Sequence, residues 1–170
     1  MTKFEIIQII AGTIGTLGFT ILFNIRQKRL LFTTLGGFLS WTLFIVFSKF
    51  IQSEPLNYFL VAFLMTVYTE IVAILVKSPT TVFITTALVP LIPGSSLYYT
   101  MANAFKDDKV GFLEKGMHTL SLAAALALGI IIAIALTKIV KDFIKNILKL
   151  KYRYLELPAD LSAGKKITKL

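Results

Sequence analysis

The chain has 170 residues, of which 56 % are hydrophobic and only 16 % charged, with no cysteine and a single histidine. So little charge leaves too little polar surface to cover a water-facing globule, for which about a quarter charged is usual. The cysteine count excludes disulfides, thiolate metal sites and thiol nucleophiles, and the single histidine excludes a multi-histidine metal cluster within the chain.

A net charge of +9 invites a nucleic-acid reading. Placement argues against it and leaves no nucleic-acid partner to expect. Lysines and arginines sit in short gaps between long apolar runs and in about the last thirty residues, as they do when the middle of each run lies in lipid. Five such runs follow in chain order, over residues 4–23, 30–47, 57–76, 81–101 and 117–136. Each is long enough, at about 1.5 Å per residue, to cross a hydrocarbon core of about 30 Å, and too long for a barrel strand. The expectation is an all-α integral membrane protein with five transmembrane helices in residues 1–138, followed by a basic cytoplasmic amphipathic helix and tail in 139–170.

Basic residues set the orientation. Thirteen of the 18 fall after the first run (Arg26, Lys28, Arg29), after the third (Lys77) and after the fifth (Lys138 onward), whereas Lys3, Lys49, Lys106, Lys109 and Lys115 fall on the opposite side. The positive-inside rule then predicts an outside amino terminus and an inside carboxyl terminus, which requires an odd number of crossings.

Small residues recur where helices can approach closely: Gly12, Thr16 and Thr20 in the first run, Thr33 with Gly37 and Gly36 with Ser40 in the second, and Ser121, Ala125, Gly129, Ala133 and Thr137 in the fifth. Such ridges hold one chain together or form an interface with another. Between Lys138 and Lys149, apolar residues alternate with lysines as in a basic amphipathic helix that continues the fifth run or lies on the inner leaflet. Beyond Pro158 the composition is polar and predicts a disordered tail.

Glu70 lies inside the third run, about 9 Å from its Val76 end at helical rise. A carboxylate at that depth is costly and normally faces a bundle interior or an aqueous cavity. Ala62, Thr66 and Ala73 share its helical face, which suits a proton carrier with Thr66 beside it, a substrate or cation contact, or a structural carboxylate bonded to a threonine.

The fourth run contains ALVPLIPGSSLYYTM. Ser78-Pro79 can start its helix as cap and first-turn residue. Pro90 and Pro93 lack the N–H groups that the carbonyls of Thr86 and Val89 would accept from; Gly94 permits a turn, and Ser95 or Ser96 can cap a second half-helix. The expectation is a helix broken near mid-membrane. One half offers carbonyls and the other N–H groups that attract a substrate carboxylate; the plainer alternative is a proline kink repaired by nearby hydroxyls. Thr85, Thr86, Tyr98 and Tyr99 are candidate lining. His118 reads as an interfacial residue, and Trp41 and Tyr58 as packing or anchoring aromatics. No nucleotide-binding loop, metal-ligand set or hydrolase triad appears, so no cofactor, metal or catalytic residue is expected.

These motifs carry a resemblance. NIRQKRLLFTTLGG, the glutamate followed by KSPTTVF, and ALVPLIPGSSLYYTM together resemble the carboxyl-terminal half of the threonine/serine exporter family, most closely the free-standing small subunit of its two-component form, over roughly residues 10–105. The most specific block is Pro90, Pro93, Gly94 and Tyr98 with the upstream glutamate. Serines follow Pro-Gly where the family tends to glycine. The resemblance implies an inner-membrane exporter of small carboxylate-bearing metabolites, threonine and serine or dicarboxylates such as succinate, that works with a separately encoded larger membrane subunit. Two rivals stand beside it: a non-transporting scaffold whose partner carries the substrate path, and a membrane enzyme using Glu70 and His118. The latter pair lies toward opposite faces of the bilayer in the expected topology.

Overall fold

The computed structural model describes the backbone of residues 2–164 and the side chains of residues 2–147. Among the described residues every regular element is helical: α1 Lys3–Leu22, α2 Lys28–Ser48, α3 Glu54–Val76, α4 Thr80–Ala87, a 3₁₀ turn Val89–Leu91, α5 Gly94–Phe105 and α6 Lys109–Gly164. Residues 1–134 form one compact unit and residues 135–170 a second.

Local chemistry places the ends. Thr2 and Glu5 form a reciprocal capping box on α1, with Glu5 N–H donating to Thr2 Oγ1 and Thr2 N–H to Glu5 Oε2. Pro55 stands in the first turn of α3, where its missing N–H costs nothing. At the other end of α3, Lys77 turns left-handed (φ 50°) and the Ser78 N–H reaches back to the Ala73 carbonyl at 3.0 Å. Pro79 caps α4 and its helix begins at Thr80, while the Ser78 hydroxyl donates to the Val76 carbonyl. Ser78 therefore closes α3 rather than capping α4, because the α3 carbonyls lie within its reach first.

In the first unit α2 packs against α1, α3 and α4. The α1–α2 contact is the small-residue ridge: Thr16, Thr20, Thr33 and Ser40 are fully or almost fully buried, and a Cβ on Gly37 would overlap the Thr16 side chain. The hydroxyls of Thr16, Thr20 and Ser40 donate to carbonyls of their own helices, so the ridge hides no unsatisfied donor. Gly36 faces Ala87 and Tyr68. These two ridges hold the chain's own helices together. Between α3 and α2, the Tyr68 hydroxyl donates to the Phe32 carbonyl and Asn57 Nδ2 to the Phe44 carbonyl, each at 3.0 Å, pinning both ends of the pair. The core beneath collects Tyr58, Val61, Met65, Ala87, Leu88, Leu91 and Leu122.

Four helices have the length and apolarity to cross a membrane, and α4 with the turn and α5 make a fifth span if the pair, bent by 43°, is taken as one. The last helix begins at Lys109, eight residues before the fifth apolar run, and continues without interruption through Lys138 to Gly164. Of the two readings of the lysine-rich segment, continuation is thus the observed one, and the helix passes Pro158 where disorder was expected. Residues 165–170 lie outside the described residues.

Candidate functional site

The interrupted helix is the centre of the first unit. Pro90 and Trp41 of α2 both sit against Gly12, the middle of α1; a Cβ on Gly12 would lie 3.7 Å from Pro90 Cβ and 3.6 Å from Trp41 Cγ. The break is therefore at mid-height of α1, where the positions of the two prolines predict it.

Its detail differs from expectation in three ways. The Val89 carbonyl is not left without a donor, because the chain tightens into a 3₁₀ turn and the Ile92 N–H takes it at 3.2 Å. Gly94 has an ordinary negative φ and open space around its α-carbon, so its freedom to turn left-handed is unused. Pro93 is the N-cap of α5, which places Ser95 and Ser96 inside the first turn with no capping hydrogen bond. Gly94 N–H is already occupied by the Ile92 carbonyl at 2.6 Å.

The remaining candidates divide among three places. Thr85 and Thr86 join Thr81, Val82, Phe23 and Ile25 around an open cavity of about 310 Å³ between α4 and the α1–α2 connection. Thr86 is fully buried and its hydroxyl donates to the Val82 carbonyl; that of Thr85 donates to the Thr81 carbonyl, so both present their oxygens as acceptors. Glu70 is buried on α3 in a polar stripe with Thr66 and Thr69, both at 0 % exposure, whose hydroxyls donate to the Ala62 and Thr66 carbonyls. One turn on, Ala73 packs with Phe83 of α4. Glu70 is not among the residues lining the cavity. Tyr98 and Tyr99 stack edge to face on the exposed side of α5 and face away from the bundle. As lining, they can serve a site only on that outer face.

Sequence reasoning passed over a polar cluster where α3, α5 and α6 meet. Ser96 and Thr100 of α5 contact Thr119 of α6, and His118 lies between Ser96 and Glu54. The available signal was the i, i+4 spacing of Ser96 and Thr100 on one helix opposite an adjacent His-Thr pair on the next. A second omission is in the core: Trp41 Nε1 and Asn57 Oδ1 are buried without a hydrogen-bond partner among the described residues. An unmet buried donor costs about 1–3 kcal/mol. Trp41→Phe removes that donor beside Pro90 and leaves an aromatic ring in place, so its thermal unfolding in detergent should fall by no more than a few degrees. A loss of transport at retained stability would assign the indole N–H to transport, and a large loss of stability would show that packing of the indole outweighs its unmet donor.

An all-helical bundle with four helices able to cross a membrane, and a bent pair interrupted level with the middle of α1, is an arrangement that membrane transport proteins use. Residues 8–136, from α1 through the first half of α6, match the family model described as Threonine/Serine exporter, ThrE. The chain belongs to the threonine/serine exporter family, and exporter-type transport is the activity that this membership implies. The match extends past the resemblance read from motifs, which ended near residue 105, to include α6. No curated protein and no solved structure gives a significant match.

Proposed function

We propose that the chain is one subunit of a secondary exporter of small carboxylate-bearing metabolites, threonine and serine or dicarboxylates such as succinate, in the cytoplasmic membrane. It crosses the bilayer five times with the amino terminus outside, residues 1–138 forming the transmembrane domain and 139–170 the cytoplasmic helix and tail. It works in an oligomer with a larger membrane subunit. The observation that carries this reading is the break at Pro90-Pro93-Gly94, set against the middle of α1 in a chain of exporter family. There the first turn of α5, with Ser95 and Ser96, attracts the substrate carboxylate, and Thr85 and Thr86 line its approach from the cavity. Glu70, with Thr66 beside it, couples efflux to proton inflow.

Charge at the two ends of the bundle supports the orientation. Arg26, Lys28, Arg29 and Lys77 gather at the α1–α2 and α3–α4 connections with no acidic residue in either connection. At the opposite end two basic side chains face carboxylates, Lys49 with Glu5 at 3.1 Å and His118 with Glu54 at 3.3 Å.

The test is efflux from cells preloaded with labelled threonine, serine or succinate, with this chain expressed alone and together with the larger subunit. Efflux of one label that needs both chains is expected. Efflux by the larger subunit without this chain would leave it a scaffold. No efflux of any label from an assembled complex would overturn the substrate class.

A further inference from the structure

Five polar side chains from three helices meet at the end of the first unit where the α2–α3 and α5–α6 connections lie. Glu54 Oε2, on the first residue of α3, lies 3.3 Å from His118 Nε2. The other ring nitrogen, Nδ1, is 3.3 Å from Ser96 Oγ in the first turn of α5. Ser96 Oγ is in turn 2.7 Å from Thr119 Oγ1, which Thr100 Oγ1 approaches at 3.1 Å.

Counting protons gives a donor order in which every contact is met. Thr119 Oγ1 lies 2.7 Å from the Lys115 carbonyl, which only accepts, so the one hydroxyl proton of Thr119 is committed there. Thr100 likewise donates to the Ser96 carbonyl at 2.9 Å and shares that proton with Thr119. With Thr119 donating to the Lys115 carbonyl, its oxygen is open to a proton from Ser96, one of the two donor orders the 2.7 Å pair allows. In that order the single proton of Ser96 is spent on Thr119, and its oxygen meets His118 Nδ1 as an acceptor. The Glu54 carboxylate also accepts only. In that order a ring with both N–H groups serves Glu54 and Ser96 together, whereas a ring with one N–H serves only one of them as donor.

We propose that Glu54, His118 and Ser96 form a proton-binding site that fastens the second half of the interrupted helix to α3 and α6 when occupied and frees it when empty. The surroundings leave the imidazolium one charged partner across a helix boundary. From α3 it faces Glu54. From α5 it faces hydroxyls, since Gly94–Phe105 contains no charged residue and its titratable Tyr98 and Tyr99 are exposed. On α6 itself, Glu114 and Lys115 stand one turn earlier, and the Lys49–Glu5 pair on α2 and α1 is satisfied internally. The His118 and Glu54 side chains are 43 % and 48 % exposed, so the proton comes directly from the aqueous phase. The site rests on the proposed function for one point, that this phase is the exterior, from which protons would drive export.

The absence of native cysteine makes a direct test simple. Leu56→Cys on α3 and Met101→Cys on α5, both about half exposed, carry spin labels outside the cluster, and the distance between them is measured in the purified full chain. A narrow distribution near about pH 5 that broadens near about pH 8, the range across which histidine changes charge, is expected. His118→Gln and Glu54→Gln should give the broad distribution at both. The doubly labelled parent alone decides if either variant folds poorly: a distribution that does not change with pH overturns the site, as does an equal change in a folded His118→Gln. A weaker response of efflux to external pH in His118→Gln, with the Glu70-coupled part retained, is expected as well. A pH-dependent distance without efflux of any metabolite would uphold the site while defeating the transport reading, and efflux with a pH-independent distance would do the reverse.

Discussion

Glu70→Gln should leave the complex assembled and as stable as the parent, and remove the dependence of efflux on the proton gradient. The side chain is 9 % exposed, within a stripe where Thr66 and Thr69 are fully buried. An ionised carboxylate taken out of water carries a penalty of several kcal/mol that a neutral amide of the same shape does not. Glutamine keeps the volume and an acceptor oxygen, so packing against Ala73 and the neighbouring turn persists. The variant loses the negative charge and the ability to take up and release a proton. Gradient-driven efflux should fall at least about tenfold, which corresponds to about 1.4 kcal/mol of lost coupling. Efflux that still follows the imposed proton gradient as in the parent, with external pH held constant so that the His118 site is unchanged, would show that Glu70 is structural. A fall in the unfolding temperature with pH dependence intact would point the same way.

The helices were legible because apolar runs report their own length. Runs at 30–47 and 57–76 lie within α2 and α3, and the excess, Lys28, Arg29 and Ser48 on α2 and Glu54-Pro55-Leu56 on α3, is mostly polar or proline residues that hydropathy does not register. The break was legible because proline removes a donor wherever it stands. Its inner geometry was not. Whether Val89 finds a new donor depends on how far the chain tightens against Gly12 and Trp41, and those residues are some 50 to 80 positions earlier in sequence. The cluster around His118 is of the same kind. Glu54 and Ser96 approach it across separations of 64 and 22 residues, and periodicity gives the face on which a histidine lies, never the partner opposite. The uninterrupted α6 has a local cause that was visible but open: between Lys138 and Ile147 no glycine or proline interrupts the helix, so the lysines decorate it without ending it.

Gly129→Ala is the substitution that should disturb the structure most for the fewest atoms. A Cβ at this position would lie 2.5 Å from the Phe59 carbonyl oxygen, 3.0 Å from Ala62 Cβ and 3.1 Å from the Phe63 amide nitrogen. Two of the three neighbours are backbone atoms of α3, and neither can rotate away, so α3 and α6 must separate. Overpacking of this kind costs about 1–3 kcal/mol, which for a chain of this size lowers the unfolding temperature by roughly 2–10 °C. Gly15→Ala is the matched control. Its Cβ would meet nothing within 4 Å, and alanine gains about 0.8–1 kcal/mol over glycine in a helix interior, so stability should hold or rise. The consequence reaches the site, because the Gly129 contact sets the register of α6 on α3 and hence the separation of His118 from Glu54. Gly129→Ala should therefore broaden the Leu56–Met101 label distance even at low pH, as loss of His118 does, while Gly15→Ala leaves it narrow. An unfolding temperature equal to that of the parent, with the narrow distribution retained, would mean that α6 does not rest on Phe59 at all.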